Sequence, residues 1–169
     1  MKRIHPRFVS WLATSTVAIT GALLVTAATA QSTSIEGTWT LMSRRLPDGT
    51  TVKPPDVQGI MSLADGHRNM NMLWRTPEGN WASWSAMTTY RLSDTQYTET
   101  LLFGISNDPG SGKGLRYFVS GTTRSGAVTR EGQKIEIKQP FDGVRWLFEG
   151  DTETTTNPSG SLDDWERVK

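Results

Sequence analysis

The chain has 169 residues, no cysteine, and 18 lysines and arginines against 17 aspartates and glutamates, so its formal net charge is +1. The absence of cysteine excludes a disulfide framework and any zinc site built on thiolates. The near balance of charge, with no basic run beyond the first residues, argues against a nucleic-acid-binding protein. The length is typical of a single domain.

The first 30 residues have the pattern of a secretory signal peptide. Basic residues occur within the first seven positions, residues 11–25 carry no charge, and Ala28-Thr29-Ala30 places small side chains where a signal peptidase inspects them. An uncleaved membrane anchor is the alternative, but the apolar segment is interrupted by hydroxyl residues and is shorter than the roughly 20 residues of a bilayer span. We therefore predict a signal peptide at 1–30, one domain at 31–169, and a periplasmic or secreted protein.

Removal of this leader changes the charge of the chain. Three of the 18 basic residues and none of the 17 acidic residues lie within 1–30, so the remainder has a net charge of about −2. Nothing in that remainder has the pattern of a polybasic membrane or nucleic-acid surface.

The first predicted strand covers residues 35–45. Its large and small side chains alternate, so that Trp39 and Leu41 face one side and two threonines the other, which is typical of a half-buried strand. Gly37 lies two residues before the indole, where the missing Cβ lets another segment approach the backbone closely.

Further short segments show the same alternation, and turn residues separate them. Asp65-Gly66 is the strongest hairpin signal, whereas Pro54-Pro55 cannot pair within a sheet and indicates a loop. A weak strand is predicted at 127–129. The sequence thus predicts an all-β fold, a single antiparallel up-and-down β-barrel of about 8–10 short strands. The other predicted strands are 57–64, 68–74, 81–92, 95–103, 115–120, 133–138, 144–149, 152–156 and 162–168.

Three segments resemble, in their order and spacing, the small bacterial lipocalin-like domains, a family of calycin-type barrels. The opening Gly37-Thr38-Trp39-Thr40-Leu41-Met42-Ser43 is similar to their Gly-Thr-Trp-x-Leu-x-Ser signature. Asp65-Gly66 is similar to their hairpin, and Trp165-Glu166-Arg167 to their final Trp-x-Arg strand. The resemblance spans essentially the whole chain after the leader.

The resemblance implies that the tryptophan of the first strand closes one end of the barrel beneath an arginine from a late strand. It assigns this structural closure to Gly37, Trp39 and Arg167, with Arg145 as the reserve arginine. A guanidinium over an indole gains about 0.5–2 kcal/mol. The alternative is that Trp39 is an ordinary core residue and Arg167 a solvated charge. Outer-surface lipocalins often carry a disulfide and a C-terminal helix, which this chain lacks, so their ligands are not carried over.

Aromatic and methionine side chains recur along the predicted strands and form the predicted ligand-binding set. Barrels of about eight strands are just wide enough to hold one small ligand, and methionine adapts to irregular ligands. The same side chains could instead fill the barrel, and composition does not separate the two interpretations. The predicted ligand-binding residues are Met70, Met72, Trp81, Trp84, Tyr97, Glu99, Phe103 and Tyr117.

Glu99 is predicted to share one strand face with Tyr97 and Phe103. If that face is interior, the carboxylate needs a partner or a raised pKa, and Arg116 and Arg145 are the candidate partners. In the alternative, the opposite face of the strand points inward and Glu99 is solvated.

No motif predicts a catalytic site, a metal site or a cofactor. His67 is the one histidine after the leader, and a single histidine beside a turn is typically solvated. The glycines of 109–114 suggest a phosphate-binding loop, but Asn107 stands where the first glycine belongs and no helical pattern follows.

The leading hypothesis is an exported, monomeric small-molecule binding protein with an apolar or amphipathic ligand in the barrel lumen. It has no cofactor, no nucleic-acid partner, and no membrane attachment after cleavage. One alternative is a barrel enzyme of the isomerase, cyclase or hydrolase type that uses an enclosed carboxylate and tyrosine, such as Glu99 with Tyr97 or Tyr117. Another is an envelope module that binds a protein through an exposed apolar patch.

Overall fold

The structure, a computed structural model, describes residues 34–112 and 114–169. The predicted signal peptide at 1–30 lies outside these residues. No helix in the described ranges has the length and hydropathy of a membrane-spanning helix. A turn of 3-10 helix at Pro109–Ser111 interrupts a chain of strands. The strands are β1 (Gly37–Arg45), β2 (Thr51–Val52), β3 (Val57–Ala64), β4 (His67–Arg75), β5 (Trp81–Leu92), β6 (Gln96–Asp108), β7 (Gly114–Phe118), β8 (Thr123–Glu131), β9 (Lys134–Lys138), β10 (Arg145–Glu149), β11 (Thr152–Thr156) and β12 (Leu162–Arg167).

Ten of the described strands form a closed antiparallel barrel. Their order around the ring is β1-β3-β4-β5-β6-β8-β9-β10-β11-β12, and β12 pairs back with β1. Each strand of the ring therefore pairs with the ring strands that come before and after it along the chain. The predicted all-β, up-and-down barrel is confirmed. Of the two remaining strands in the described ranges, β2 pairs with β1 and β7 pairs with β6.

The predicted strand bounds differ most where the chain leaves the ring. β6 runs to Asp108 rather than to residue 103, because its second half pairs with β7. β8 covers Thr123–Glu131 rather than 127–129, because it pairs first with β6 and then with β9. The alternation predicts none of these extensions, since the pairing partner decides how far a strand continues.

Aromatic side chains fill one half of the barrel, which we call the closed half. Trp39 is fully buried, and its ring centroid lies 5.2 Å from that of Phe148. Tyr97 is also fully buried and packs 5.7 Å from Tyr90 and 5.6 Å from Trp146. These centroid distances are those of favourable edge-to-face and offset aromatic pairs.

The guanidinium of Arg167 covers Trp39. Its Cζ lies 4.2 Å from the indole centroid, and the two residues are paired across the β1–β12 seam. Arg167 also donates to the carbonyl oxygens of Ser34, at 2.7 Å, and Glu36. Gly37 has φ +140°, and a Cβ at this position would meet the same guanidinium. The contact between Trp39 and Arg167 that the resemblance implies is therefore present.

Candidate functional site

The other half of the barrel, which we call the open half, contains a cavity of about 760 Å³. Ligand pockets in proteins commonly have volumes of roughly 300–1,000 Å³. Most of the surface of this cavity is apolar, and methionine and aromatic side chains provide its walls. The principal apolar residues that line it are Met70, Met72, Trp74, Trp84, Phe118 and Trp146.

Strand register explains why this half is not filled. Met72 lies opposite Trp84, and Met70 lies opposite Ala86. Ala86 is in turn paired with Gly104 on β6. Because a large inward side chain on β4 faces an alanine and then a glycine on the next two strands, space remains beside it.

A buried ion pair lies where the open half meets the closed half. The Nε of Arg68 donates to Oε1 of Glu99 at 2.7 Å, and the exposed fractions of the two side chains are 5% and 0%. Thr88 donates to the same oxygen at 2.6 Å, and Gln139 donates to Oε2. Glu99 is therefore interior, and its carboxylate accepts three side-chain hydrogen bonds, so that its charge is compensated.

The predicted partners of Glu99 were wrong. Arg145 lies on the outside of the barrel and donates to Glu136 at 2.9 Å, because it stands at an outward position of β10. Arg116 lies with its Cζ 4.9 Å from the centroid of Phe118. The partner is instead Arg68, which reaches Glu99 across β5.

Arg68 also faces the cavity. Its Cζ lies 5.2 Å from the centroid of Trp146, and its Nη1 contacts the sulfur of Met70 at 3.7 Å. Asp142 lines the same region, and burial raises the pKa of its carboxyl group. Arg68, Gln139 and Asp142 thus provide a polar floor beneath apolar walls.

A second ion pair lines the open half. Arg44 donates to both carboxylate oxygens of Asp163, at 2.6 and 2.8 Å. The Cζ of Arg44 lies 5.3 Å from the centroid of Trp74. Sequence reasoning missed this pair, although Arg44 and Asp163 are opposite each other in the seam. Only the pairing of the first strand with the last one could have indicated it.

Glu153 is a buried carboxyl group that sequence reasoning also missed. It has an exposed fraction of 1% and lies opposite Phe148 and Trp165 on the neighbouring strands. Thr155 donates to its Oε1 at 2.8 Å, and among the described residues its Oε2 has no hydrogen-bond partner. Burial raises the pKa of Glu153 well above its ordinary value. Residues 152–156 contain no apolar side chain that would mark an inward face. However, Glu153 is paired with Phe148 across the hairpin, and paired residues face the same side of a sheet, so an inward Phe148 places Glu153 inward as well.

The structure brings only part of the predicted ligand-binding set together. Met70, Met72 and Trp84 line the cavity. Tyr97 and Glu99 point inward but are fully buried below it. The expectation that the other three residues line the lumen was wrong, because their side chains are exposed: Trp81 by 37%, Phe103 by 46% and Tyr117 by 70%.

A β-bulge explains the position of Phe103. Thr88 pairs with Leu101 while its neighbour Met87 pairs with Phe103, so Leu102 is an extra residue on β6. One extra residue reverses which side chains face inward. Gly104 therefore takes the inward position, and Phe103 lies on the outer surface.

The reversed phase continues into β7. Tyr117 is paired with Ile105 on the outer surface, and Phe118 is paired with Gly104. Phe118 points inward, with its ring centroid 5.6 Å from that of Trp84, and takes the role that Tyr117 was predicted to have. Trp81 stands at the start of β5, where the Cζ of Arg75 lies 4.3 Å from its ring centroid.

The described residues contain no group of three or more side chains that could hold a metal ion. His67 is exposed, and its Nδ1 lies 3.0 Å from the carbonyl oxygen of Asp65.

The fold and the site together define a closed ten-stranded antiparallel β-barrel with an internal, largely apolar cavity. No protein-family model, curated protein or solved structure matches this chain.

Proposed function

We propose that this protein is an exported, lipocalin-like barrel that binds one small apolar or amphipathic molecule in its lumen. The observation that carries the proposal is the cavity of about 760 Å³ between methionine and tryptophan side chains. Removal of an apolar ligand from water into such a space is favourable by roughly 25 cal/mol per Å² of apolar surface buried. The flexible thioethers of Met70 and Met72 let the walls adjust to the shape of the ligand.

The polar floor favours an amphipathic ligand over a purely apolar one. Arg68 gives one nitrogen to Glu99 and contacts the sulfur of Met70 with another, and it lines the cavity. A ligand with a hydroxyl, carbonyl or carboxylate at one end would accept hydrogen bonds from this guanidinium. The apolar part of the ligand would then extend along Met72 and Trp84.

The enzyme alternative has less support. A general base needs a free lone pair within reach of its substrate. The carboxylate of Glu99 accepts hydrogen bonds from Arg68, Thr88 and Gln139 and is fully buried below the cavity. We therefore assign Glu99 to the support of the cavity floor rather than to catalysis.

Ligand binding is tested by titration of the protein with decanol, decanoate and naphthalene. Trp74 and Trp84 line the cavity, so binding should change tryptophan fluorescence, and calorimetry at two temperatures should give a negative heat-capacity change. The variant Ala86→Met fills part of the cavity and should weaken binding by about tenfold, or roughly 1.4 kcal/mol.

The matched control is Ser85→Met, which adds the same side chain at the next position on the outer face of β5, opposite Ile105. It should leave affinity unchanged. Absence of saturable binding for all three compounds, or equal effects of the two variants, would contradict a luminal site.

Export is tested separately by the intact mass of the protein recovered from its host. A chain that begins at Gln31 would support the predicted cleavage. A membrane-bound chain that retains residues 1–30 would contradict it.

A further inference from the structure

The outer surface beside the bulge carries most of the exposed apolar side chains of the described chain. Six of the ten large hydrophobic residues exposed in the described ranges lie between residues 102 and 119. Contiguous apolar patches of this kind commonly mark interaction sites. We define the β6–β7 patch as Phe103, Ile105, Leu115, Tyr117 and Val119.

The patch ends at a free strand edge. β7 pairs along one edge with β6, and no described strand pairs with its other edge. Natural proteins usually protect such an edge with proline, inward-pointing charge, a bulge or a covering segment, because it is a template for another strand. β7 contains no proline, and its one charged side chain is Arg116, at an inward position beside Phe118. Its outward side chains are exposed by 57% at Leu115 and 70% at Tyr117.

The free edge favours a strand over a membrane as the occupant. Backbone N–H and C=O groups that enter hydrocarbon without partners are strongly unfavourable, whereas a strand from another chain would satisfy them. The free edges of two copies can pair antiparallel about a two-fold axis, which is the commonest symmetry of protein dimers.

Antiparallel registers centred on a residue keep the outer face of β7 outward in both copies. Charge distinguishes the two that lie nearest the middle of the patch-bearing segment 115–119, centred on Arg116 and on Tyr117. A register centred on Arg116 would place two arginines directly opposite each other, which is destabilising. A register centred on Tyr117 places the two tyrosines together and Leu115 opposite Val119 of the second copy. In that register Arg116 lies opposite an aromatic ring, Phe118 of the second copy, which favours a cation–π contact.

We propose that the protein forms a two-fold dimer in which the free edges of β7 pair antiparallel, centred on Tyr117, so that one sheet continues from barrel to barrel. The sequence alone predicts a monomer, and the bulge that turns Phe103 and Ile105 outward is not apparent in it. The cavity lies on the inner face of the sheet, so dimerisation goes beyond ligand binding and does not depend on it.

Cross-linking tests the register. The chain has no cysteine, so Tyr117→Cys introduces a single thiol on the proposed two-fold axis. Directly opposed residues have Cα atoms about 4.5–5.5 Å apart, which a disulfide can bridge. In protein expressed from the complete coding sequence, mild oxidation of Tyr117→Cys should give a covalent dimer as the main product.

Other single cysteines serve as controls in the same experiment. Leu115→Cys and Val119→Cys should cross-link when mixed but much less when oxidised separately. Ile60→Cys, at an exposed residue of β3 far from the patch along the ring, should give no covalent dimer on oxidation. Efficient cross-linking through Arg116→Cys instead of Tyr117→Cys would overturn the register.

Light scattering with charged variants tests the dimer itself without a covalent cross-link. The wild-type chain should have twice the molar mass of Tyr117→Lys and of Tyr117→Glu, and an equimolar mixture of these two variants should recover the dimer mass. Their circular dichroism should match the wild type, because Tyr117 is exposed in the single chain. Their unfolding midpoints should match the wild type only at concentrations where the wild type is dissociated, since dimerisation stabilises the folded chain.

Two results would overturn the proposal. One is a wild-type chain that remains monomeric over the whole concentration series. The other is a monomer that floats with phosphatidylcholine and phosphatidylglycerol vesicles and loses this binding in Tyr117→Lys, because the occupant of the patch would then be a lipid surface.

Discussion

The closed and open halves of the barrel are built from the same alternating strands, yet only one of them is filled. In the closed half, Trp39, Tyr97 and Phe148 meet other aromatic rings at centroid distances of 5.2–6.3 Å. In the open half, Met72 and Trp84 are also large inward side chains, but the small residues Ala86 and Gly104 lie beside them. Whether a large inward residue becomes core or cavity wall therefore depends on how small its neighbours on adjacent strands are.

The largest effect is expected for Trp39→Ala. Deletion of a buried indole commonly costs about 3–5 kcal/mol, since the packed surroundings relax only partly. Trp84→Ala should cost less than half as much, because its indole borders a cavity and is only partly buried. Denaturant unfolding of both variants measures the difference, and equal losses would show that the two halves are equally well packed.

The ion pair between the two halves is the next test. Arg68→Met leaves the carboxylate of Glu99 buried without its cation and should cost about 3 kcal/mol. The double variant Arg68→Met/Glu99→Gln removes both charges and should recover part of this loss. If the double variant were less stable than the single one, the two side chains would not be coupled as the 2.7 Å contact implies.

Arg167→Ala, in the closed half, should have a smaller effect of about 1–2 kcal/mol through lost stacking and stem packing. A double-mutant cycle with Trp39→Ala measures the coupling between the two residues. Strict additivity would mean that the stacking at 4.2 Å contributes nothing to the free energy of unfolding.

Substitution of Glu153 is expected to have the smallest effect on stability at acid pH. The effect should grow as the pH rises. The pKa of Glu153 is raised in the folded chain by burial, so the folded state keeps a proton that the unfolded state releases above its ordinary value of 4.5. The stability that this group contributes is therefore greatest at low pH and decreases as pH rises, by at most about 1.4 kcal/mol per pH unit.

The variant Glu153→Gln removes this dependence. It should unfold close to the wild type near pH 4 and at higher denaturant concentration than the wild type at pH 7–8. Glu166→Gln, at an exposed position of β12, is the matched control and should show no such divergence. An equal shift in both variants would contradict the burial of Glu153 as the cause.

The fold could be predicted from the sequence because its signals are local. The alternation of 57–64 and 81–92 predicts β3 and β5 with the bounds that they have, and Asp65-Gly66 predicts the hairpin between β3 and β4. The lumen was predicted less completely. The three cavity residues that were predicted, Met70, Met72 and Trp84, lie on strands without a bulge at those positions.

The rest of the site depends on how the strands pair with one another, which no single segment of the sequence encodes. Arg68 reaches Glu99 because the register of β4, β5 and β6 aligns them around Thr88. The outward position of Phe103 depends on the extra residue Leu102, which looks like any other apolar residue in an apolar strand. An insertion of one residue leaves composition unchanged but reverses the alternation beyond it.

The β1–β12 seam also has a consequence for how the chain folds. Arg167 contacts Glu36 across 131 positions of sequence, whereas most other strands in the ring pair with an immediate neighbour along the chain. Loop closure over this span costs roughly 4 kcal/mol of entropy beyond a constant, and non-local pairings of this kind slow folding. A chain in which the hairpins have formed but the seam has not is an open sheet with two unpaired edges. The seam is therefore the step on which the barrel's rate of formation and its resistance to transient opening both depend.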